Sequence, residues 1–193
     1  MGGLYDLIVK NRSYRRFYEN YRIEPKVLLD LVNLARLSPS SMNLQPLRYI
    51  IVHTPEKCNM IFENVTWAAY LKNWGGPKEG ERPSAYIIVL AEKDLSRNYL
   101  IDAGLASMAI LLGAVEKGLG GCIMGSLNRE NTRKLFNIPE KYEIIYAIAI
   151  GKPKETVVID EMGADGDIRY WRDEMDVHHV PKRSLKDIVL SIE

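Results

Sequence analysis

The chain has 193 residues, 47% hydrophobic and 26% charged, with 26 lysines and arginines against 25 acidic residues. That is the composition of one folded domain, and a net charge of +1 makes no demand for nucleic acid or another polyanion. The longest uncharged run, residues 103–115, falls short of the roughly twenty residues a membrane span needs. No cationic-then-apolar leader opens the chain, and Cys58 and Cys122 form neither a CxxC pair nor a disulfide framework, so a cytoplasmic protein with reduced thiols is expected.

Leu4, Leu7 and Ile8 fall at helical spacing and predict a short opening helix that ends near Asn11. A basic cluster follows: between Lys10 and Arg22 five cations stand against one anion, Glu19. Pro25 suits the first position of a second helix, where its missing N–H costs nothing, with Val27, Leu28, Leu31, Leu34 and Ala35 as the buried face. Residues 38–46 break that helix as a loop, residues 49–52 read as a strand, and Thr54-Pro55 reads as the start of a third helix. Residues 75–83 (GGPKEGERP) predict a mobile polar connection. The continuous apolar run at 86–90 suits a strand covered on both faces. Over 102–117, Leu105, Met108, Ala109, Leu112 and Val115 recur at helical spacing and predict the central buried helix. A short strand at 122–124, a helix capped by Asn128 and running to about Phe136, and a strand over 143–150 come next. Ser184 with Asp187 is a capping-box pattern for a last helix. Residues 152–183 have little apolar periodicity apart from Tyr170 and Trp171, as expected of an arm that packs on something other than its own core. Helices alternating with apolar strands indicate an α/β or α+β fold around a central sheet.

Several catalytic signatures are missing. GLGGCI at 118–123 places isoleucine where a dinucleotide fingerprint needs its third glycine, and no phosphate loop, HExxH or GxSxG occurs. His53, His178 and His179 lack the spacing that sets two ligands on one helix face; no metal site is expected, and the adjacent pair reads as solvated. No acidic residue stands out from the helix-surface background. What remains is anion binding. Arg12 and Arg15 share a face if the first helix reaches them, and with Ser13 they could clamp a phosphate through charge-assisted hydrogen bonds. The competing reading is a solvated basic helix end. Pro39, Ser40, Ser41 and Asn43 offer hydroxyls, an amide and backbone N–H groups suited to a polar ring edge, or form a locally capped turn. Gly125-Ser126 after Met124 allows close backbone approach to a ligand, or is a plain turn. Lys182 and Arg183 are either a second phosphate contact or a surface pair.

Taken together, these segments fall in a recognisable order: Arg12-Ser13-x-Arg15-x-Phe17, ARLSPSSMNLQP at 35–46, the helix and strand of 102–125 with GLGGC, FNIP at 136–139 and IAIGKP at 148–153. In that order the chain resembles the FMN-dependent nitroreductase family over nearly its whole length. The resemblance implies a single α+β domain over residues 1–193, with a central mixed sheet flanked by helices. It also implies an intertwined homodimer with FMN at the subunit interface and the C-terminal arm, about 152–193, on the partner. By the match, Arg12, Ser13 and Arg15 hold the phosphate and ribityl chain, joined by Lys182 or Arg183; the family separates its two C-terminal basic residues, whereas here they are adjacent, which leaves that choice open. Pro39, Ser40, Ser41 and Asn43 would line the flavin from the second subunit, and Met124, Gly125 and Ser126 would lie along its ring or tail. Residues 62–82 correspond to the variable substrate side, with Trp67, Tyr70 and Trp74 as selectivity candidates and core packing as the rival account of the tryptophans. The implied activity is ping-pong: NAD(P)H gives a hydride to flavin N5, and a nitroaromatic, quinone or other conjugated electrophile takes the electrons. No catalytic side chain is then expected, because the cofactor carries the chemistry. Reductive dehalogenation and oxygen-dependent flavin breakdown occur on the same fold, and a non-catalytic flavin or anion binder is the alternative outside enzymes.

Overall fold

The computed structural model describes residues 3–193. Strands β1 (Leu47–Val52), β2 (Ala85–Glu92), β3 (Gly120–Met124) and β4 (Tyr142–Gly151) pair in the order β1-β2-β4-β3, every ladder antiparallel. The parallel component expected of a mixed central sheet is confined to a single bridge, Ser13 to Gly121, at its β3 edge. The central strands β2 and β4 are nearly unbroken apolar runs because both faces are covered. On one face Ala85, Ile87, Val89, Ile148 and Ile150 pack with Leu28, Leu31 and Ala35 of α2 (Pro25–Leu37) and Ala103, Ala106, Ile110 and Ala114 of α4 (Tyr99–Glu116). On the other, Tyr86, Ile88, Leu90, Ala147 and Ala149 pack with Cys58 and Ile61 of α3 (Pro55–Phe62), Trp67 and Leu127.

Local chemistry sets most boundaries where the sequence places them. α1 (Leu4–Lys10) stops at Asn11, Pro25 and Pro55 open α2 and α3, and the Asn128 side chain accepts from the Asn131 N–H at 3.0 Å to start α5 (Arg129–Phe136). The capping box of Ser184 and Asp187 starts α6 (Leu185–Ile188). α4 departs from expectation. Its inner stripe is small, and Leu105 and Met108, assigned above to the buried face, are exposed together with Leu100 and Ile101. The helix is apolar nearly all round, so periodicity carries no information about which side is inward. Among the described residues α4 is the one helix long and apolar enough to cross a membrane by length and composition, and its packing on α2 and the sheet accounts for that character on its inner side.

One further expectation is corrected. Residues 75–83 are pinned rather than mobile: Pro77, Glu81 and Pro83 are buried, and Gly76, at φ +119°, backs onto Trp67 so closely that a Cβ would fall 2.6 Å from its ring. Residues 152–183 form a second, smaller sheet apart from the core. β5 (Val157–Glu161) runs parallel to β7 (His178–Lys182), which pairs antiparallel with β6 (Trp171–Arg172). This small sheet attaches through ionic and aromatic contacts, which leave no apolar stripe in the sequence. Beyond it Leu185, Ile188, Leu190 and Ile192 are exposed.

Residues 13–18 run along the β3 and β4 edge. The Tyr14 N–H donates to the Gly121 carbonyl at 3.1 Å, the Tyr18 N–H to the Lys152 carbonyl at 2.9 Å, and Phe17 is fully buried beside Gly151. Gly121 is fixed by close approach, since a Cβ there would lie 2.5 Å from the Ala149 carbonyl oxygen, a backbone atom held in the β3–β4 ladder. Gly121→Ala should therefore lower the thermal or urea midpoint by an overpacking cost of about 1–3 kcal/mol. Gly75→Ala, whose Cβ would meet nothing, should stay within about 0.5 kcal/mol of the parent. Equal midpoints for the two variants would contradict the strand spacing described here.

Candidate functional site

Because α1 ends at Lys10, Arg12 and Arg15 do not share a helical face; two buried carboxylates shape their segment instead. Glu155, its side chain 1% exposed, accepts the backbone N–H groups of both Arg15 and Arg16 and pairs with Arg172 Nη2 at 2.7 Å. Glu81, also buried, accepts from Arg16 Nε at 2.8 Å and Nη2 at 3.0 Å, and from Lys154 Nζ at 3.0 Å. The Arg16 hydrogen bonds, reinforced by Lys154, hold the Glu81 carboxyl down at about 2. Arg16 is thereby committed to structure, also pairing with Asp176, while Arg12 and Arg15 face a cavity.

That cavity, about 280 Å³, is lined by Asn11, Arg12, Ser13 and Arg15 on one side and by Tyr170, His178, Val180 and Lys182 on the other. The period of two along β7 puts His178, Val180 and Lys182 on this face. Lys182 is thus the C-terminal cation that lines the cavity; Arg183, past the strand end, does not. Arg15 Nη1 contacts the Ser13 carbonyl and His178 Nε2, both at 3.2 Å, and its guanidinium lies 4.6 Å from the Tyr170 ring centroid. Tyr170 packs on His178 at 5.2 Å and on Tyr70 at 5.0 Å. Arg12 Nη2 donates to the Ile8 carbonyl at 2.8 Å. Two buried ring or guanidinium nitrogens of the cavity wall, Arg12 Nε and His178 Nδ1, have no hydrogen-bond partner. Burial, with Arg15 and Arg172 nearby, holds the His178 imidazolium down at about 4, so the ring is neutral near pH 7. With Arg12, Arg15 and Lys182 lining it, the cavity suits a ligand rich in acceptors and negative charge.

The other expected site residues lie elsewhere in the chain. Asp102, buried near the start of α4, accepts from Ser40 Oγ at 2.7 Å and the Ser41 N–H at 2.9 Å, and Ser40 Oγ accepts the Gln45 N–H at 2.9 Å. The Ser40 hydroxyl is therefore engaged in holding its own loop. Met42, Asn43 and Gln45 sit at φ +50°, +56° and +50°, a concentration of left-handed non-glycine residues that this anchoring sustains. Pro39 and Ser40 border a larger apolar cavity, about 370 Å³, between α2 and β1. The cation-bearing segment bears instead on Met108, through Asn11, and on Gly121, which packs on Leu111. Those positions are roughly 9–14 Å further along the helix axis. One chain does not bring the two expected halves into one cavity.

Gly125 has open space around it, as close approach requires. Met124, by contrast, is a core side chain, and the Ser126 hydroxyl donates to the Thr66 carbonyl at 2.6 Å while accepting its N–H at 3.2 Å. Ser126 thus fastens the 62–82 segment. Trp67 is corrected from a substrate-side candidate to a core anchor, 5% exposed between Phe62 and Trp74. Trp74 lies against the Arg172 guanidinium at 4.5 Å, and Tyr70, half exposed, reaches the cavity wall through Tyr170. Sequence reasoning missed Glu81, Glu155, Asp102, Tyr170 and His178. For His178 a signal existed in its alternation with Val180 and Lys182; the buried carboxylates left none. Among the described residues no His, Cys, Asp and Glu group could hold a metal ion.

Residues 8–152 match the model of the Nitroreductase family. The chain is 28% identical to a protein provisionally named NADH dehydrogenase/NAD(P)H nitroreductase from Archaeoglobus fulgidus, over 77% of this chain and 84% of that one. It is 27% identical to an iodotyrosine deiodinase from Thermotoga neapolitana, over 79% and 89%. Among solved structures it is similar to an FMN-dependent nitroreductase from Clostridium difficile R20291, with a TM-score of 0.63 and 25% identity over 79% of this chain and 88% of that one.

The titrating groups give a pH signature. His178 titrates near 6.5 when unfolded and about 4 when folded, so the unfolded chain takes up this proton first as the pH falls. Stability should then drop between pH 6.5 and 4, by up to about 1.4 kcal/mol per unit. Glu81 moves from 4.5 to about 2, and its ion-pair contribution is complete above pH 4.5 and lost toward pH 2. Urea midpoints measured from pH 8 to 2 should decline from near neutrality, and His178→Gln should flatten the upper part of the decline while leaving the lower part in place.

Proposed function

The chain belongs to the nitroreductase family, and from that premise we propose that it is an FMN-binding oxidoreductase that carries electrons from NAD(P)H to a nitroaromatic, quinone or similar conjugated electrophile. The observation that carries this reading is the convergence of three cations, Arg12, Arg15 and Lys182, on one cavity that Ser13 and His178 also line. Such a donor set fits a phosphate monoester, and it is formed by the segments where the family resemblance expects the FMN phosphate. When bound, FMN supplies the hydride chemistry that the side chains lack. Arg12, Arg15 and Lys182 neutralise and orient the phosphate, while Glu155 and Glu81 hold the segment that carries the two arginines. Gly125 leaves room for a ring to lie against backbone, and Tyr70 and Trp74 border the acceptor side.

A homodimer belongs to the same proposal. The strained loop of Pro39, Ser41 and Asn43 and the cations of residues 12–15 line no common cavity within one chain, so a ligand touching both takes the loop from a second copy. The outward Leu100, Ile101, Leu105 and Met108 of α4 and the terminal Leu190 and Ile192 supply apolar surface of the kind that subunit interfaces cover. The likeness to an iodotyrosine deiodinase supports reductive dehalogenation as the second reading of the same site.

Freshly purified protein should show a flavin absorption spectrum that bleaches on anaerobic addition of NADH or NADPH and returns with a nitroaromatic or quinone. Return with a halophenol alone would favour the second reading, and failure to bind added FMN would overturn both. The Arg12→Ala, Arg15→Ala double variant removes two charge-assisted contacts and should weaken FMN binding at least a hundredfold. Sedimentation equilibrium should give a dimer; a monomer that binds FMN with full affinity would contradict the shared site.

A further inference from the structure

We propose that His178 is a positioning residue for the phosphate of the bound cofactor, fixing the Arg15 guanidinium through Nε2 on the wall of the cation cavity. The assignment rests on the FMN reading and deepens it. A guanidinium has donors and no acceptor, so the 3.2 Å contact from Arg15 Nη1 requires an unprotonated Nε2. A neutral imidazole then carries its single proton on Nδ1. That N–H is buried, in a side chain 1% exposed on the cavity wall, and it has no partner.

Packing rather than hydrogen bonding at Nδ1 sets the ring's direction. The His178 backbone N–H donates to the Thr156 carbonyl at 2.9 Å, the residue pairs with Val157 in β5, and the ring is tilted against Tyr170. Its neighbour His179 has the opposite treatment: Nδ1 lies 2.8 Å from Asp160 and Nε2 3.3 Å from Asp173, both nitrogens satisfied on the other face of β7. His178 instead spends its one acceptor on Arg15, which converges with Arg12 and Lys182 on one cavity. The charges acting on it are Arg15, Arg172 and His179, with Glu155 between the Arg15 and Arg172 segments, so the ring stays neutral and offers Arg15 an acceptor without adding a positive charge.

The test is a comparison of FMN with riboflavin, which lacks the phosphate, titrated into flavin-stripped protein by fluorescence quenching. His178→Phe keeps a ring and removes both nitrogens; it should weaken FMN binding at least tenfold and leave riboflavin affinity unchanged. His178→Gln restores an acceptor and a donor and should recover part of the loss. Nitrogen NMR of histidine-labelled parent protein should find the His178 proton on Nδ1, with its resonance moving on addition of FMN and staying in place with riboflavin. Unchanged FMN affinity in His178→Phe, an equal loss for both flavins, or a proton found on Nε2 would each overturn the assignment. If His178→Phe fails to fold, the Gln variant and the NMR of the parent decide it. A parent protein that binds neither flavin overturns the FMN reading and this assignment with it, whereas a parent that binds FMN beside indifferent variants overturns this assignment alone.

Discussion

Two buried carboxylates, Glu155 and Glu81, bracket the stretch from Arg15 to Phe17, and the geometry of everything around that stretch follows from them. Glu155 takes two successive backbone N–H groups and one guanidinium; Glu81 takes the side chains of Arg16 and Lys154, and its own backbone carbonyl accepts the Phe17 N–H. Buried ion pairs are weak sources of net stability, because desolvation offsets much of the attraction. Their effect here is directional. They divide three arginines in five residues into one that is consumed internally and two that face a cavity, and they tie the N-terminal segment, the 75–83 loop and the C-terminal sheet to each other.

A similar economy holds at the other end of α4, where one buried carboxylate, Asp102, organises a loop with three left-handed non-glycine residues. Strained backbone persists only where its surroundings over-determine it. The loop is thus held in one conformation by its own chain, as the proposed shared site would require. Preorganisation of this sort lowers the ordering cost of assembling a shared site.

How much of this was legible follows from the range of the interactions. Strands β1, β2 and β4 and the starts of α2, α3 and α5 were readable, because apolar runs, Pro25, Pro55 and Asn128 act over a few residues. The inward side of α4 was not, since alanines face the sheet and leucines face out, the reverse of the usual pattern. Arg12, Ser13 and Arg15, and Lys182 of the Lys182-Arg183 pair, stood out in the sequence as basic clusters, and they line one cavity. His178 was read with His179 as a solvated pair, although strand alternation sends them to opposite faces, one toward the cation-lined cavity and one stacked on Trp171. Glu81 and Glu155 find their partners 65 and 140 residues away, a distance at which no local pattern marks a residue. The glycine- and proline-rich stretch around Glu81 was misjudged for the same reason: its composition suits a flexible linker, and its anchor lies in another part of the chain.

The contact from Tyr70, tilted against Tyr170, and on to Arg15 joins the 62–82 segment, which the resemblance places on the variable substrate side, to the cation cavity. Diversification of such a segment is ordinarily free of consequence for the rest of a scaffold. Here a change at Tyr70 is felt by the neighbour of a cavity-lining arginine. Under the proposed function, acceptor range and flavin retention would then be mutationally entangled, and retuning one without losing the other would require leaving this aromatic pair intact or replacing both partners together.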